Sequence, residues 1–243
     1  MYNYRNSKAN IVNILSSKTQ IEKKEKIPVD NDFTYANGIR CWVSSIFVDI
    51  KSSTDLFKNQ DEQLARMLRA FTSEIITILQ QFENYNQIGI RGDCVYAIYS
   101  TPNTQDISKV FAIATQINTF MKMLNKLLTS KGYSNIGVGI GIGCGKELII
   151  KAGRTGTGIN DKIWIGDAVV DAANLSSIAN RDGFKKILMN SLFYDCLMRT
   201  GYKDRTYITE TSCKEKGYYE IFQCDDIDFE FDEWIKGGMK DVG

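Results

Sequence analysis

From Ile136 to Gly143 the chain reads Ile136-Gly137-Val138-Gly139-Ile140-Gly141-Ile142-Gly143, with glycine at every second place. With the period of two of an extended backbone, this is a strand with one face of branched side chains and one of bare main chain. Glycine weakens a strand interior, so such a face suits a strand that another element or a ligand approaches closely. Gly143-Cys144-Gly145 is expected to turn the chain into a hairpin partner over 147–152, followed by a flexible glycine-rich loop from Gly153 to Gly158.

The flanking apolar pattern switches between strand and helix periods. Cys41-Trp42-Val43-Ser44-Ser45-Ile46-Phe47-Val48 is rich in β-formers and predicts a buried strand, where regular structure begins. It closes at Asp49-Ile50, and Ser52, Ser53 and Thr54 offer an N-cap to the next helix, whose apolar stripe is Leu64, Met67, Leu68, Phe71, Ile75, Ile78, Leu79 and Phe82. Two strands, 88–90 and 94–99, flank a tight turn at Arg91-Gly92-Asp93. A second helix carries Val110, Ile113, Ile117, Phe120, Met121, Leu124 and Leu128 on one face. Further on come a helix over 166–175, a short strand at 186–189, a helix over 192–198 capped by Asn190 or Ser191, and strands near Tyr207-Ile208 and at 218–222. Helices and strands alternate with at least one hairpin, which predicts an α+β fold: a mixed β-sheet with helices packed on it, in one domain without internal repeats. Residues 1–40 read as a polar N-terminal arm, 41–224 as the folded domain, and 225–243 as an acidic, loosely held tail.

Composition narrows the chemistry. The 243 residues hold 30 Lys+Arg against 29 Asp+Glu, a net charge of +1, which argues against a whole surface built for nucleic acid. The chain has no histidine, which removes Ser-His-Asp and Cys-His catalysis and His-ligated zinc together. The six cysteines form no C-x-x-C pair and read as reduced core thiols of a cytosolic protein. No signal peptide and no long apolar run is seen, so a soluble cytoplasmic protein with no membrane partner is expected.

Carboxylates, Lys, Arg, backbone amides and bound metal ions remain. Asp49 closes a buried strand and Asp93 sits in a tight turn, so the two can converge at one sheet edge. Hard ions such as Mg2+ and Mn2+ take carboxylate, carbonyl and water oxygens. Two of them about 3.5–4 Å apart polarise the attacking and leaving oxygens of a phosphoryl transfer. The amides and hydroxyls of Ser52, Ser53 and Thr54, at a helix start, suit phosphate oxygens.

Five motifs then fall in family order over residues 41–224. Phe47-Val48-Asp49-Ile50, a short gap and Ser53-Thr54 resemble the first metal motif of the class III nucleotidyl cyclases. Gly92-Asp93 followed by Val95-Tyr96-Ala97-Ile98 is similar to the second. Gly139 to Gly143 resembles their central strand, Gly166-Asp167-Ala168-Val169 with Ala172-Ala173 and Leu175 their dimer helix, and Lys214-Glu215-Lys216-Gly217 their basic hairpin. The resemblance implies a ferredoxin-like core and a homodimer with active sites at the interface. It implies two Mg2+ or Mn2+ ions per site on Asp49, Asp93 and the Ile50 carbonyl, and triphosphate contacts from Ser52, Ser53, Thr54, Lys214 and Lys216. The 3′-hydroxyl of a nucleoside triphosphate would attack its own α-phosphorus and release pyrophosphate.

The chain departs from the family at four places. Aligned on Gly166-Asp167, the usual catalytic Asn and Arg become Val170 and Asn174, leaving Asn174 as a neutral donor; Arg154 or another Arg is a candidate substitute for the charge. Losing such a charge unreplaced costs about 10²–10³ in rate. The two base-reading places hold Gly89 and Ile163, which match neither the adenine-reading nor the guanine-reading residues. These departures, with the run Ile90-Arg91-Gly92-Asp93-Cys94-Val95-Tyr96, resemble the pyrimidine cyclases of bacterial Pycsar anti-phage systems, whose cyclic UMP or cyclic CMP activates a separate effector protein. The expected substrate is therefore UTP, or else CTP. A purine cyclase with displaced base contacts and a non-catalytic nucleotide-binding module are the alternatives.

Overall fold

In the computed structural model, which describes residues 2–58, 60–202 and 207–240, the chain runs through helix α1 (Tyr4–Ser16) and strands β1 (Gln20–Lys23) and β2 (Asn37–Ile50). It continues with α2 (Ser53–Leu56), α3 (Glu62–Leu79), β3 (Tyr85–Arg91), β4 (Cys94–Ser100), α4 (Thr104–Ser130), β5 (Val138–Gly153) and β6 (Asn160–Ile165). The last part is α5 (Asp167–Ile178), β7 (Ile187–Asn190), α6 (Ser191–Arg199), β8 (Thr209–Cys213), β9 (Tyr218–Cys224) and α7 (Phe229–Lys236). The strands form one nine-stranded sheet in the order β3-β4-β2-β5-β7-β9-β8, with β1 added to β2 and β6 to β5. The β1–β2 and β5–β7 pairs are parallel and the others antiparallel, so the sheet is mixed. Within it, β2-α3-β3-β4-α4-β5 lies in the order β3-β4-β2-β5, the ferredoxin-like arrangement expected.

The two faces of β5 do different work. Val138, Ile140 and Ile142 are buried in the main core with Ile46, Val48, Phe71, Ile75, Ile117 and Phe193, which places α3, α4 and α6 on that side. On the other side α5 lies directly on the glycine stripe. A Cβ on Gly139, Gly141 or Gly143 would fall inside contact distance of α5 or post-α5 backbone, for example 2.6 Å from the Ala179 carbonyl oxygen and 2.9 Å from the Ala168 carbonyl carbon. Ser45 Oγ pins the helix start by donating to the Ala168 carbonyl at 2.6 Å.

Several local expectations are corrected. Gly143-Cys144-Gly145 does not turn: β5 is continuous, because these residues pair with Val43–Ser45 of β2 and Asn190 brackets Cys144, accepting from its amide at 3.2 Å and donating to its carbonyl at 3.1 Å. The hairpin forms later, from β5 to β6. Ser52 starts only the four-residue α2, at φ 57° and with no side-chain cap; Asp61 caps α3, accepting from the Leu64 amide at 2.8 Å. Regular structure starts ahead of Cys41, since β2 opens at Asn37 and both Phe33 and Ile39 are buried. The strand expected near Tyr207-Ile208 begins at Thr209. The acidic tail is not loose where described: α7 packs on α4, with buried Asp232 accepting from Lys122 at 2.7 Å and paired to Lys236 at 2.9 Å. Cys41, Cys144 and Cys224 are buried and all six thiols are free. No helix among the described residues is long and apolar enough to cross a membrane.

Candidate active site

Strand β2 delivers Asp49 and Ile50 to the end of the sheet, and the β3–β4 turn delivers Asp93 beside them. Asp49 is the antiparallel partner of Cys94, so Asp93 lies one residue past that pair, after Gly92 at φ 63°. Both carboxylates are partly exposed. Burial, and next the charge of Asp93, push the Asp49 carboxyl above its usual range, against the Arg181 guanidinium, which pulls it down. Arg181 Nη2 donates to Asp49 Oδ2 at 2.8 Å and to the Ile50 carbonyl at 3.1 Å. Among the described residues no cluster of three or more Asp, Glu or Cys side chains forms a larger metal site. The donor set is therefore two carboxylates and a carbonyl, all hard oxygens, and it already holds a cationic group. That is the chemistry Mg2+ or Mn2+ requires, and the residues fit such an ion. Ser52, Ser53 and Thr54 follow directly, on the turn anchored where the Lys51 amide donates to the Gly137 carbonyl at 2.8 Å.

The other expected residues gather elsewhere on the chain. Asn174 is exposed on α5, and its amide donates to the Tyr218 hydroxyl at 3.2 Å. Tyr218 in turn donates to Asp171 at 3.0 Å, and Asn190 donates to the second oxygen of Asp171 at 2.8 Å. Lys214 and Lys216 are exposed on the turn just before Tyr218. Asn174 thus shares a cluster with the β8–β9 hairpin and not with Asp49. Val170 is exposed beside it, whereas Ala172 is buried against β5 inside the same chain.

Gly89 and Ile163 are not brought together. The space beside Gly89 is filled by Tyr96, its partner in the hairpin: a Cβ on Gly89 would lie 2.6 Å from the Tyr96 phenol. Ile163 is 47% exposed on β6. The contacts between these strands are made instead by Lys162, whose Nζ donates to Asn86 Oδ1 at 2.7 Å, and by Trp164, whose indole N–H donates to Gln87 Oε1 at 2.9 Å, while Gln87 Nε2 donates to the Tyr96 hydroxyl at 3.2 Å. Tyr96 stacks on Phe47, with ring centroids 4.9 Å apart. Sequence reasoning missed Tyr96, Gln87 and Trp164. A two-residue turn fixes Arg91 opposite Cys94 and hence Gly89 opposite Tyr96, so counting through the hairpin would have found the first.

At the start of α5, Glu147 of β5 accepts from the Ala168 amide at 2.7 Å. Glu147 is fully buried and its Oε2 has no partner among the described residues. Burial pushes this carboxyl up, and the charges of Asp167 and Asp171 add to the shift against hydrogen bonds from the Ala168 and Val169 amides.

Strand-end carboxylates, a phosphate-suited turn and a basic hairpin on this βαββαβ core define a class. Residues 39–224 match the adenylate and guanylate cyclase catalytic domain family, and the chain belongs to it: it is a nucleotide cyclase. It is 43% identical to the uridylate cyclase of Treponema porcinum, over 99% of this chain and 83% of that protein. It is 32% identical to the uridylate cyclase of Gulbenkiania mobilis, over 74% and 73% of the two chains. The crystal structure of the adenylyl cyclase CyaB from P. aeruginosa has the same fold, with a TM-score of 0.65 at 20% identity over 79% of this chain and 97% of that one.

Proposed function

We propose that this chain is a uridylate cyclase, converting UTP, in preference to CTP, into its 3′,5′-cyclic monophosphate and pyrophosphate. The observation that carries the reading is the placement of Asp49, Asp93 and the Ile50 carbonyl at one sheet edge that already attracts a cation. In the reaction the 3′-oxygen bonds to the α-phosphorus, and the bond from that phosphorus to the β-bridging oxygen breaks. Pyrophosphate leaves with the electron pair and the hydroxyl proton passes to solvent. Divalent ions on Asp49, Asp93 and Ile50 supply Lewis-acid polarisation of the phosphate oxygens when bound. Ser52, Ser53 and Thr54 orient the triphosphate from one side and Lys214 and Lys216 offset its charge from the other. Asn174, held by Tyr218, donates toward the α-phosphate.

Asn174 is bonded to Tyr218 and not to the Asp49 group of its own chain, which supports a homodimer in which the Asp49 half of one copy meets the Asn174 half of another. Exposed Val170, Ile163 and Ile165 supply apolar surface for that contact. Uracil selection is supported by hydrogen-bond direction. An indole N–H can only donate, so Trp164 orients the Gln87 amide, and Gln87 makes the Tyr96 oxygen an acceptor. The Tyr96 proton is then left to donate, which suits the C4 carbonyl of uracil and not the C4 amine of cytosine. Residues 41–224 form the catalytic unit in this reading, with 1–40 and 225–243 as accessory segments. We place the enzyme in the cytoplasm, where its product would be a messenger for a separate effector in phage defence; the Pycsar resemblance is the support for that role.

The test is competition among equimolar ATP, GTP, CTP and UTP with purified protein and Mn2+, products being identified by mass. Cyclic UMP should dominate. Dominant cyclic AMP or cyclic GMP would refute the pyrimidine assignment, and no cyclic product at all would favour the binding-module alternative that Val170 and Asn174 raise.

A further inference from the structure

We propose that Arg181 is a built-in counter-cation of the metal position and sets the divalent-ion concentration at which the site fills. The inference rests on the metal-site reading of Asp49, Asp93 and Ile50. One guanidinium nitrogen, Nη2, is shared between Asp49 Oδ2 at 2.8 Å and the Ile50 carbonyl at 3.1 Å, the two groups of β2 that an ion would use. The other, Nη1, donates to the carbonyls of Ser176 and Ala179 at 3.0 Å each. Arg181 is therefore clamped to the carboxyl end of α5, where exposed carbonyls favour a positive charge. Gly139 makes room for it, since a Cβ there would lie 2.9 Å from Nη1. The pair is four-fifths buried, with side-chain exposures of 20% and 22%, so water screens it weakly.

A guanidinium keeps its proton across the working range of any protein, so this cation cannot be removed by pH. It leaves only by exchange. A divalent ion that takes Asp49 Oδ2 or the Ile50 carbonyl must break a charge-assisted hydrogen bond to a forked donor that is anchored at its other end, and an ion on the second oxygen of Asp49 still meets the charge of that donor. The guanidinium also holds the Asp49 carboxylate in place at the strand end while no ion is bound. Arg181 is thus a positioning residue whose removal tightens ion binding, the opposite of what loss of a merely structural salt bridge does.

The experiment is Mn2+ titration of the full-length chain without nucleotide, followed by the paramagnetic resonance signal of free Mn2+. Wild type, Arg181→Gln, Arg181→Lys, Asp49→Asn and Asp93→Asn are compared, with a thermal melt of each. Arg181→Gln should bind Mn2+ about tenfold or more tightly than wild type, because one charge-assisted competitor is gone. Arg181→Lys, which keeps a charge but loses the fork, should fall between them, and it carries the test if the Gln variant does not fold. Unchanged or weaker Mn2+ binding in the folded Arg181 variants, with binding still lost in Asp49→Asn and Asp93→Asn, overturns this inference alone. Wild-type Mn2+ binding in both Asp variants overturns the metal-site reading, and this inference with it.

Discussion

Asn174 donates to the Tyr218 hydroxyl at 3.2 Å, and that hydroxyl in turn donates to Asp171 at 3.0 Å. Burial pushes the Tyr218 phenol up to about 12, with the Asp171 charge adding to the shift, so it remains a donor at any working pH. One N–H of the Asn174 amide is fixed in direction by this relay. Tyr218→Phe keeps the ring and breaks the relay. It should lower kcat about tenfold, the equivalent of one charge-assisted hydrogen bond, and leave KM for UTP nearly unchanged. Steady-state kinetics on the two proteins check it; a change confined to KM would show that the relay serves binding only.

Asp49→Ala and Asp93→Ala should each reduce cyclisation by about 10²–10³ or more, as should a chelator added to wild type. Asp93→Ala should melt close to wild type. Asp49→Ala should melt somewhat lower, because Arg181 loses its partner. Product assays paired with thermal melts separate the two effects, and wild-type turnover in either variant would contradict the assigned roles.

Tyr96→Phe retains the stack on Phe47 and removes the phenolic proton. If that proton reads the uracil carbonyl, kcat/KM for UTP should fall about tenfold while that for CTP changes little, narrowing the preference between them. An unchanged ratio would place base reading elsewhere. Mixed-substrate turnover with both pyrimidines in one tube gives the ratio directly.

Glu147 titrates above its usual range in the fold, so the protein favours its protonated form. Its contribution to stability is fully present below the ordinary Glu value of about 4.3 and is lost as pH rises through the higher folded value. Glu147→Gln holds the neutral form at every pH. Its stability relative to wild type should therefore improve as pH is raised from about 4 to 8, whatever constant offset the amide introduces. Urea unfolding of both proteins across that range supplies the slope, and a relative stability that worsens toward pH 8 would mean that the ionised form is the one preferred.

What could be read in advance was what is local. A strand that ends in Asp and a hairpin turn that carries Asp each announce themselves over a few residues, so Asp49 and Asp93 were visible. The alternation of strand and helix periods gave a mixed sheet with helices on it, and the ferredoxin-like order of β2 to β5 came only with the family resemblance. Contacts that close across long stretches of chain were not visible. Arg181 meets Asp49 from 132 residues away, out of a helix end that looks like any other. Gly143-Cys144-Gly145 has the composition of a turn and is held straight by β2 and Asn190, which no short window contains. In the tail, acidity concealed Ile235, which is buried, and Asp232, whose charge is answered by two lysines.

With no side chain between them, α5 rides on β5 as near as two main chains can pass. The offset between the Asn174 and Asp49 halves of the chain is therefore set by the van der Waals contact of two main chains rather than by how a core happens to repack. A part made this way is a gauge block: it offers a substrate the same ledge in every copy and has no internal play to adjust. If two copies pair as proposed, whatever widens or narrows the cleft for a nucleotide must then act on the angle at which they meet.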